Sequence, residues 1–186
     1  MNRINGQFNP VLRGHSVLNL VTNGNFANGW VVPWGSDTAG TPTVNSEIVS
    51  FTSTAQFGRI KQSFDFVAGN KYFVSGLIKT TSNLVRLVLS GNVTSNNSSH
   101  SGNNTFELLS LTWIPTTDTS GIVAVTDYRV SGWTQIQATK LLVINMNALG
   151  LESLTTSGMN ARFPTWFDGR KPAISLSKKI RSVAYQ

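Results

Sequence analysis

The residues Arg59-Ile-Lys-Gln-Ser-Phe-Asp-Phe66 confine Ile60, Phe64 and Phe66 to even positions and Arg59, Lys61, Ser63 and Asp65 to odd ones. A pleated strand sends successive side chains to opposite faces, so this spacing dictates a strand with one apolar face and one wet one. After Ala68-Gly69-Asn70, the stretch Lys71 to Ile78 returns as a more fully buried strand, and the two are expected to pair as a hairpin. Further strands are expected over 47–53, 84–90, 105–114, 121–130 and 140–146, the last turning Leu142, Ile144 and Met146 inward. Helical periodicity is nearly absent before residue 148. Short strands separated by Gly, Asn, Ser and Thr loops indicate an all-β sandwich or barrel.

The 186 residues suffice for one domain with its own core. With no cysteine, neither a disulfide nor a thiolate metal site is available, which fits synthesis in a reducing cytoplasm. The first sixteen residues lack the apolar run of a signal peptide, and no stretch approaches eighteen apolar residues, so no membrane partner is expected. Export would then require lysis or assembly into a larger particle.

The net charge of +7 sits in the flanks. All eight acids lie between Asp37 and Asp168, together with eight of the fifteen basic residues, so the body is neutral. The excess is Arg3, Arg13, Arg170, Lys171, Lys178, Lys179 and Arg181. A nucleic-acid groove spreads cations along a face and interleaves aromatics with them, so nucleic acid is not an expected partner.

The segment 90–104, SGNVTSNNSSHSGNN, draws twelve of its fifteen residues from Ser, Asn and Gly and reads as a flexible polar loop. Catalysis lacks a constellation. His15 and His100 have no carboxylate or metal-spaced partner nearby in sequence, and the acids are scattered singly. Glu107 and Asp127 are the pair that two strands could bring together for glycoside cleavage, but surface charges are the simpler reading. A non-enzymatic protein with no metal and no cofactor is expected.

Asn19-Leu-Val-Thr-Asn-Gly-Asn-Phe-Ala-Asn-Gly-Trp30 resembles the opening of jelly-roll modules in the carbohydrate-binding superfamily. Gly58-Arg-Ile-Lys-Gln-Ser-Phe64 and Ala68-Gly-Asn-Lys-Tyr-Phe-Val-Ser-Gly76 resemble later segments of the same modules, in the same order. The resemblance spans residues 17 to 148 and implies a jelly-roll β-sandwich. The modules' usual Asp-Phe-Glu is Asn25-Phe-Ala here; those acids often serve a structural calcium, and their loss argues against one.

The segment 147–169, ending in Phe163-Pro-Thr-Trp-Phe-Asp-Gly169, resembles the end of phage tail and minor structural proteins from viruses of Gram-positive bacteria, without their Gly-x-Gly-Asn-Glu-Pro loop. Thr155 or Thr156 can cap a short helix that Pro164 ends, with Met159 and Phe163 on one face. The expected organisation is an N-terminal arm (1–16), a jelly-roll sandwich (17–148), and a short helix with an extended basic tail (149–186). The resemblance implies a virion protein of the tail or baseplate, made in the host bacterial cytoplasm, with other tail and baseplate proteins as partners and homo-oligomerisation open to it. Phe163, Trp166, Phe167, Lys178, Lys179 and Arg181 are its candidate assembly contacts.

The alternative is an adhesin domain that binds host cell-wall saccharide. Such a site needs an exposed aromatic face beside hydrogen-bonding side chains. Trp30 and Trp113, in or beside strands, read as core; Trp34, after Pro33, and Trp133, in Val130-Ser-Gly-Trp-Thr134, are the candidate sugar-binding residues. Truncation after Gly169 is expected to leave a folded domain that oligomerises or enters particles poorly, whereas truncation after Ala148 uncovers core surface and lowers the melting temperature. Light scattering and melting curves identical to those of the full chain for both truncations would refute the assembly-arm idea.

Overall fold

Ile60, Gln62 and Phe66 of strand β4 (Arg59–Phe66) are buried while Ser63 and Asp65 are exposed, so the period-two pattern has the predicted facing. The computed structural model describes residues 17–91 and 95–164. Its other strands are β1 (Gly35–Asp37), β2 (Thr43–Asn45), β3 (Ile48–Thr52), β5 (Tyr72–Lys79), β6 (Val85–Ser90), β7 (Ser95–Ser99), β8 (Glu107–Trp113), β9 (Thr119–Asp127) and β10 (Gln135–Asn145). They form two antiparallel sheets, ordered β1-β4-β9-β6-β7 and β2-β3-β10-β5-β8. This is the expected jelly-roll sandwich. Ile60, Phe66, Leu87, Leu89, Val123 and Val125 of the first sheet meet Val49, Phe51, Val74, Ile78, Leu109 and Leu111 of the second. Burying each such side chain contributes roughly 1.5–3 kcal/mol, which outweighs any local preference of the loops between them.

The expected hairpin does not form. β4 pairs with β1 and β9, whereas β5 pairs with β10 and β8, so residues 67–71 arch from one sheet to the other. Gly69 at φ 75 supplies the reversal, and Val67 N–H donates to the Tyr72 hydroxyl at 3.0 Å. A tight reversal suits a sheet-switching arch as well as a hairpin. Burial decides between them: Val74 of β5 faces the sandwich interior and Phe73 a second apolar cluster, so β5 needs cover on both sides.

That second cluster corrects another expectation. Leu142, Ile144 and Met146 are buried, but on the outer face of their sheet, with Phe73, Leu149, Leu151 and Met159. The interior takes Leu141 and Val143 instead. Between Thr139↔Leu77 and Leu142↔Ser75, β10 carries one residue more than β5, and Lys140 sits there at φ 56. The extra residue is a β-bulge, and it shifts the inward parity from Ile136 and Ala138 to Leu141 and Val143.

Helix α1 (Thr156–Arg162) lies over this outer face. Thr155 caps it by accepting from Gly158 N–H at 3.1 Å, and it ends at Phe163, whose ψ of 67° ahead of Pro164 is not helical. Met159 is fully buried, Phe163 packs half-buried on the same cluster, and Asn160 donates to Ser110 at 2.8 Å. Lys71 extends to the carbonyls of Glu152 and Leu154, tying the connecting segment down.

The polar stretch 90–104 is part strand. Ser95–Ser99 pairs with β6 as an edge, its side chains mostly exposed. Backbone hydrogen bonds hold it, so Ser and Asn give no burial pattern by which to find it. β1 and β2, three residues each, escape for the same reason.

Residues 19–34 are wedged between the two sheets. The buried Asn19 amide accepts from Val21 N–H and Val143 N–H, both at 3.0 Å, and donates to the Leu141 carbonyl at 3.3 Å. On the opposite sheet, Gln62 accepts from Thr22 N–H at 2.9 Å and donates to the Thr22 carbonyl at 3.0 Å. Gln62→Leu keeps the volume but strands a buried N–H, and should cost about 1–3 kcal/mol. Ser63→Ala, next to it on the wet face, should stay within about 0.5 kcal/mol. Equal midpoints in a denaturant titration would refute this role for Gln62.

Candidate functional site

The four candidate tryptophans separate by burial. Trp113 is core, edge-on to Phe66 at 5.1 Å, and Trp30 is half-buried against Phe26 and Trp34. Trp34 is not available to a sugar. It is 5% exposed, and its indole N–H donates to the carbonyls of Thr22 and Asn23 at 3.0 and 3.2 Å. The loop before it turns Val31 and Val32 outward and folds Trp34 into the end of the sandwich, a reversal that its place after a proline does not reveal. Trp133 alone of the two sugar-binding candidates keeps part of its ring in solvent.

Trp133 rides on the loop between β9 and β10, and an ion pair shapes that loop. Asp127 is fully buried at the end of β9, and Arg129 returns over it with Nη2 at 2.5 Å and Nε at 2.9 Å. The remaining guanidinium N–H groups reach the Gly132 carbonyl at 2.8 Å and the Thr134 hydroxyl at 2.9 Å. The Trp133 ring centroid lies 6.0 Å from the guanidinium. A buried charge pair is tolerable only where hydrogen bonds complete it, and here they define the loop's path.

Thr134 and Gln135, directly after Trp133, line a groove of about 360 Å³ together with Lys79, Thr81, Asn104 and Gln137. Register explains the grouping, because Gln137 stands opposite Lys79 across β10 and β5. The groove wall at Asn104 is a built loop. His100 is 1% exposed; its Nδ1 accepts from Gly102 N–H at 2.8 Å, so its Nε2 carries the proton and donates to the Thr105 carbonyl at 3.1 Å. Glu107 accepts from the Ser101 hydroxyl and N–H, and these hydrogen bonds hold its carboxyl below the usual range, with the nearby His100 helping. Asn104 N–H donates to the Thr80 carbonyl at 3.0 Å. Hydroxyl, amide and ammonium groups thus meet in one groove, which the loop carrying Trp133 enters through Thr134 and Gln135.

Glu107 and Asp127 have different partners: one is engaged with the His100 loop, the other with Arg129. Unlike the sequence-based expectation, His100 does have a carboxylate nearby, Glu107 at 3.8 Å, though outside hydrogen-bond reach. At the corner where calcium was doubted, Asn25 contacts Glu47 at 3.4 Å. Among the described residues no three His, Asp or Glu side chains converge. Of the assembly candidates, Phe163 packs on the chain's own second cluster, whereas Trp166, Phe167, Lys178, Lys179, Arg181 and also His15 lie outside the described residues. Sequence reasoning missed Lys79, Thr81, Asn104, Gln135 and Gln137. Their only signal is polar spacing at period two, which any solvated face shares. Arg129→Ala should cost about 3–5 kcal/mol by leaving Asp127 buried without a partner. Trp133 fluorescence should shift in the same variant below its unfolding temperature; an unchanged spectrum and melting point would refute the clamp.

No protein-family model matches the chain, and no curated protein matches it. Solved structures do resemble it. A CBM4 carbohydrate-binding module aligns with a TM-score of 0.52 at 14% identity, over 66% of this chain and 97% of the module. The enzymatically active domain of tailspike protein 4 of bacteriophage CBA120 aligns with a TM-score of 0.51 at 15% identity, over 68% of this chain. The match takes in 21% of that tailspike structure. At such identities the likeness is one of fold: this chain has the jelly-roll sandwich of carbohydrate-binding modules.

Proposed function

We propose that the protein is a non-enzymatic carbohydrate-binding domain that seats a saccharide against Trp133, with Lys79, Thr81, Asn104, Gln135 and Gln137 as hydrogen-bonding partners. The observation that carries this is the partly exposed indole on a clamped loop beside a polar groove of about 360 Å³. Sugar C–H faces stack on aromatic rings while their hydroxyls need donors and acceptors; the groove supplies the donors and acceptors, and Trp133 on the adjoining loop supplies the ring. The fold likeness to a carbohydrate-binding module supports the reading.

A second reading places the domain in a virion, as a tail or baseplate component of a phage of Gram-positive bacteria, synthesised in the host cytoplasm. The tailspike likeness and the Phe163–Gly169 segment favour it. The two are compatible, because a tail protein can carry an adhesin. Affinity electrophoresis against cell-wall polysaccharides tests the first. Trp133→Ala should weaken retardation about tenfold or more, the equivalent of losing about 1.4 kcal/mol of stacking, and chelator should change nothing. Lack of retardation of the wild type by any wall polysaccharide would refute saccharide binding and leave the virion reading to proteomics of purified particles.

A further inference from the structure

The outer face of the first sheet is separate from the Trp133 groove and carries its own chemistry. Strand register aligns Asp37, Arg59, Thr126, Arg86 and Ser99 in one row across β1, β4, β9, β6 and β7. The next row runs Gly35, Lys61, Ala124, Val88 and Asn97. Although they point away from the sandwich interior, Thr126, Ala124 and Val88 are only 3%, 1% and 5% exposed. Longer neighbouring side chains therefore close over the short ones in the middle of this face. Strands are spaced about 4.8 Å apart, so Arg59 and Arg86 stand roughly 10 Å apart across Thr126, about the width of one sugar ring.

Charge on this face does not cancel. Asp37 is shared by Arg59, at 2.9 Å, and Lys61, at 2.7 Å. Burial pushes the Asp37 carboxyl up, but the hydrogen bonds and charges of Lys61 and Arg59 outweigh it and hold it below the usual range. One carboxylate thus answers two cations. Arg86 has no carboxylate within ion-pair distance among the described residues. Its guanidinium is held 4.3 Å from the Tyr128 ring centroid, with one long contact to Asn97 at 3.5 Å, and its Nε is buried with no hydrogen-bond partner. A guanidinium without a carboxylate partner, beside two cations that share one carboxylate, is complementary to an oxyanion. Guanidinium forks bind carboxylate and phosphate oxygens more strongly than neutral acceptors. Among the described residues the acid in line with these rows is Asp37; Asp65 lies in the same strand as Lys61, toward its far end.

We infer that this face is a second binding site, which takes an acidic polymer through its carboxylate or phosphate groups at Arg86, with Arg59 and Lys61 as the flanking cations. Tyr128, itself packed edge-on to Phe57 at 5.2 Å, backs the Arg86 guanidinium. The site stands on different residues from the Trp133 groove, so either can fail without the other.

Titration calorimetry of the full chain with three oligomers tests it: oligogalacturonate for carboxylate, a glycerol phosphate oligomer for phosphate, and neutral galacto-oligosaccharide as control. At least one acidic oligomer should bind, and Arg86→Gln should weaken it about tenfold or more, as expected for losing a charge-assisted hydrogen bond. Arg86→Lys should restore only part of that affinity, and Trp133→Ala should leave acidic binding unchanged. Lys61→Gln, at a half-buried site, gives an independent reading with a smaller loss in the same direction. Melting curves identify any variant that fails to fold. Binding of neither acidic oligomer by the wild type would overturn the inference. So would equal binding by wild type and Arg86→Gln, since attraction to the basic tail survives that substitution.

Discussion

A wedge of backbone held by buried amides joins the two sheets. Residues 19–34 contribute Val21, Phe26 and Trp34 to the interior, yet a loop there must also find partners for its own N–H and C=O groups. Gln62 supplies them from one sheet and Asn19, bonded to β10, from the other, while Trp34 donates to two more carbonyls. Inside a low-dielectric core each of these bonds is worth making mainly because leaving it unmade is so unfavourable. Asn19, Gln62 and the Asn23 amide, which closes the turn back to Gly29, are among the residues that carry the sequence resemblance to carbohydrate-binding modules. That resemblance therefore reports how the sandwich is closed, and it carries no information about what the sandwich binds.

The legible parts of the fold were those where one face is dry and the other wet. β4 alternates cleanly because its outer face is solvated, and Thr155 with Pro164 bracketed α1 because caps are local chemistry. The illegible parts were those where burial is two-sided or absent. β10 carries Leu141 to Ile144 in unbroken apolar succession, so its sequence cannot say which residue faces which core, and the parity shift at Lys140 leaves no mark in composition. β7 buries almost nothing and so looks like a loop. The arch between β4 and β5 shows a third limit, since turn residues specify that the chain reverses and leave its partner open.

The candidate sites were less visible still, and for a related reason. Trp34, between Val-Pro and Gly-Ser, and Trp133, between Ser-Gly and Thr-Gln, both sit in turn-like sequence, but one plugs the sandwich and the other stays at the rim. The difference lies in Arg129 and Asp127, two residues apart in sequence, whose pairing holds the rim loop. The groove residues and the Arg59, Lys61 and Arg86 group come from strands distant in the chain and meet only through register. Single-residue spacing along one strand cannot encode such meetings.

The bulge in β10 also sets how this chain can change. On either side of Lys140 the strand serves two different layers, interior under Ile136 and Ala138, then interior under Leu141 and Val143 with the α1 layer on the other side. Deleting that one exposed residue would not shorten a loop; it would remove the bulge, so that Leu141 followed Thr139 in regular alternation opposite Gly76 and the second half of the strand kept its facing. Leu142 and Ile144 would stay under the helix, and Leu141 would still pack where Gly76 leaves room; what would be lost is the local kink and twist that the bulge gives the strand. Lys140 thus lets one strand run a residue longer than its partner while both apolar layers keep their side chains.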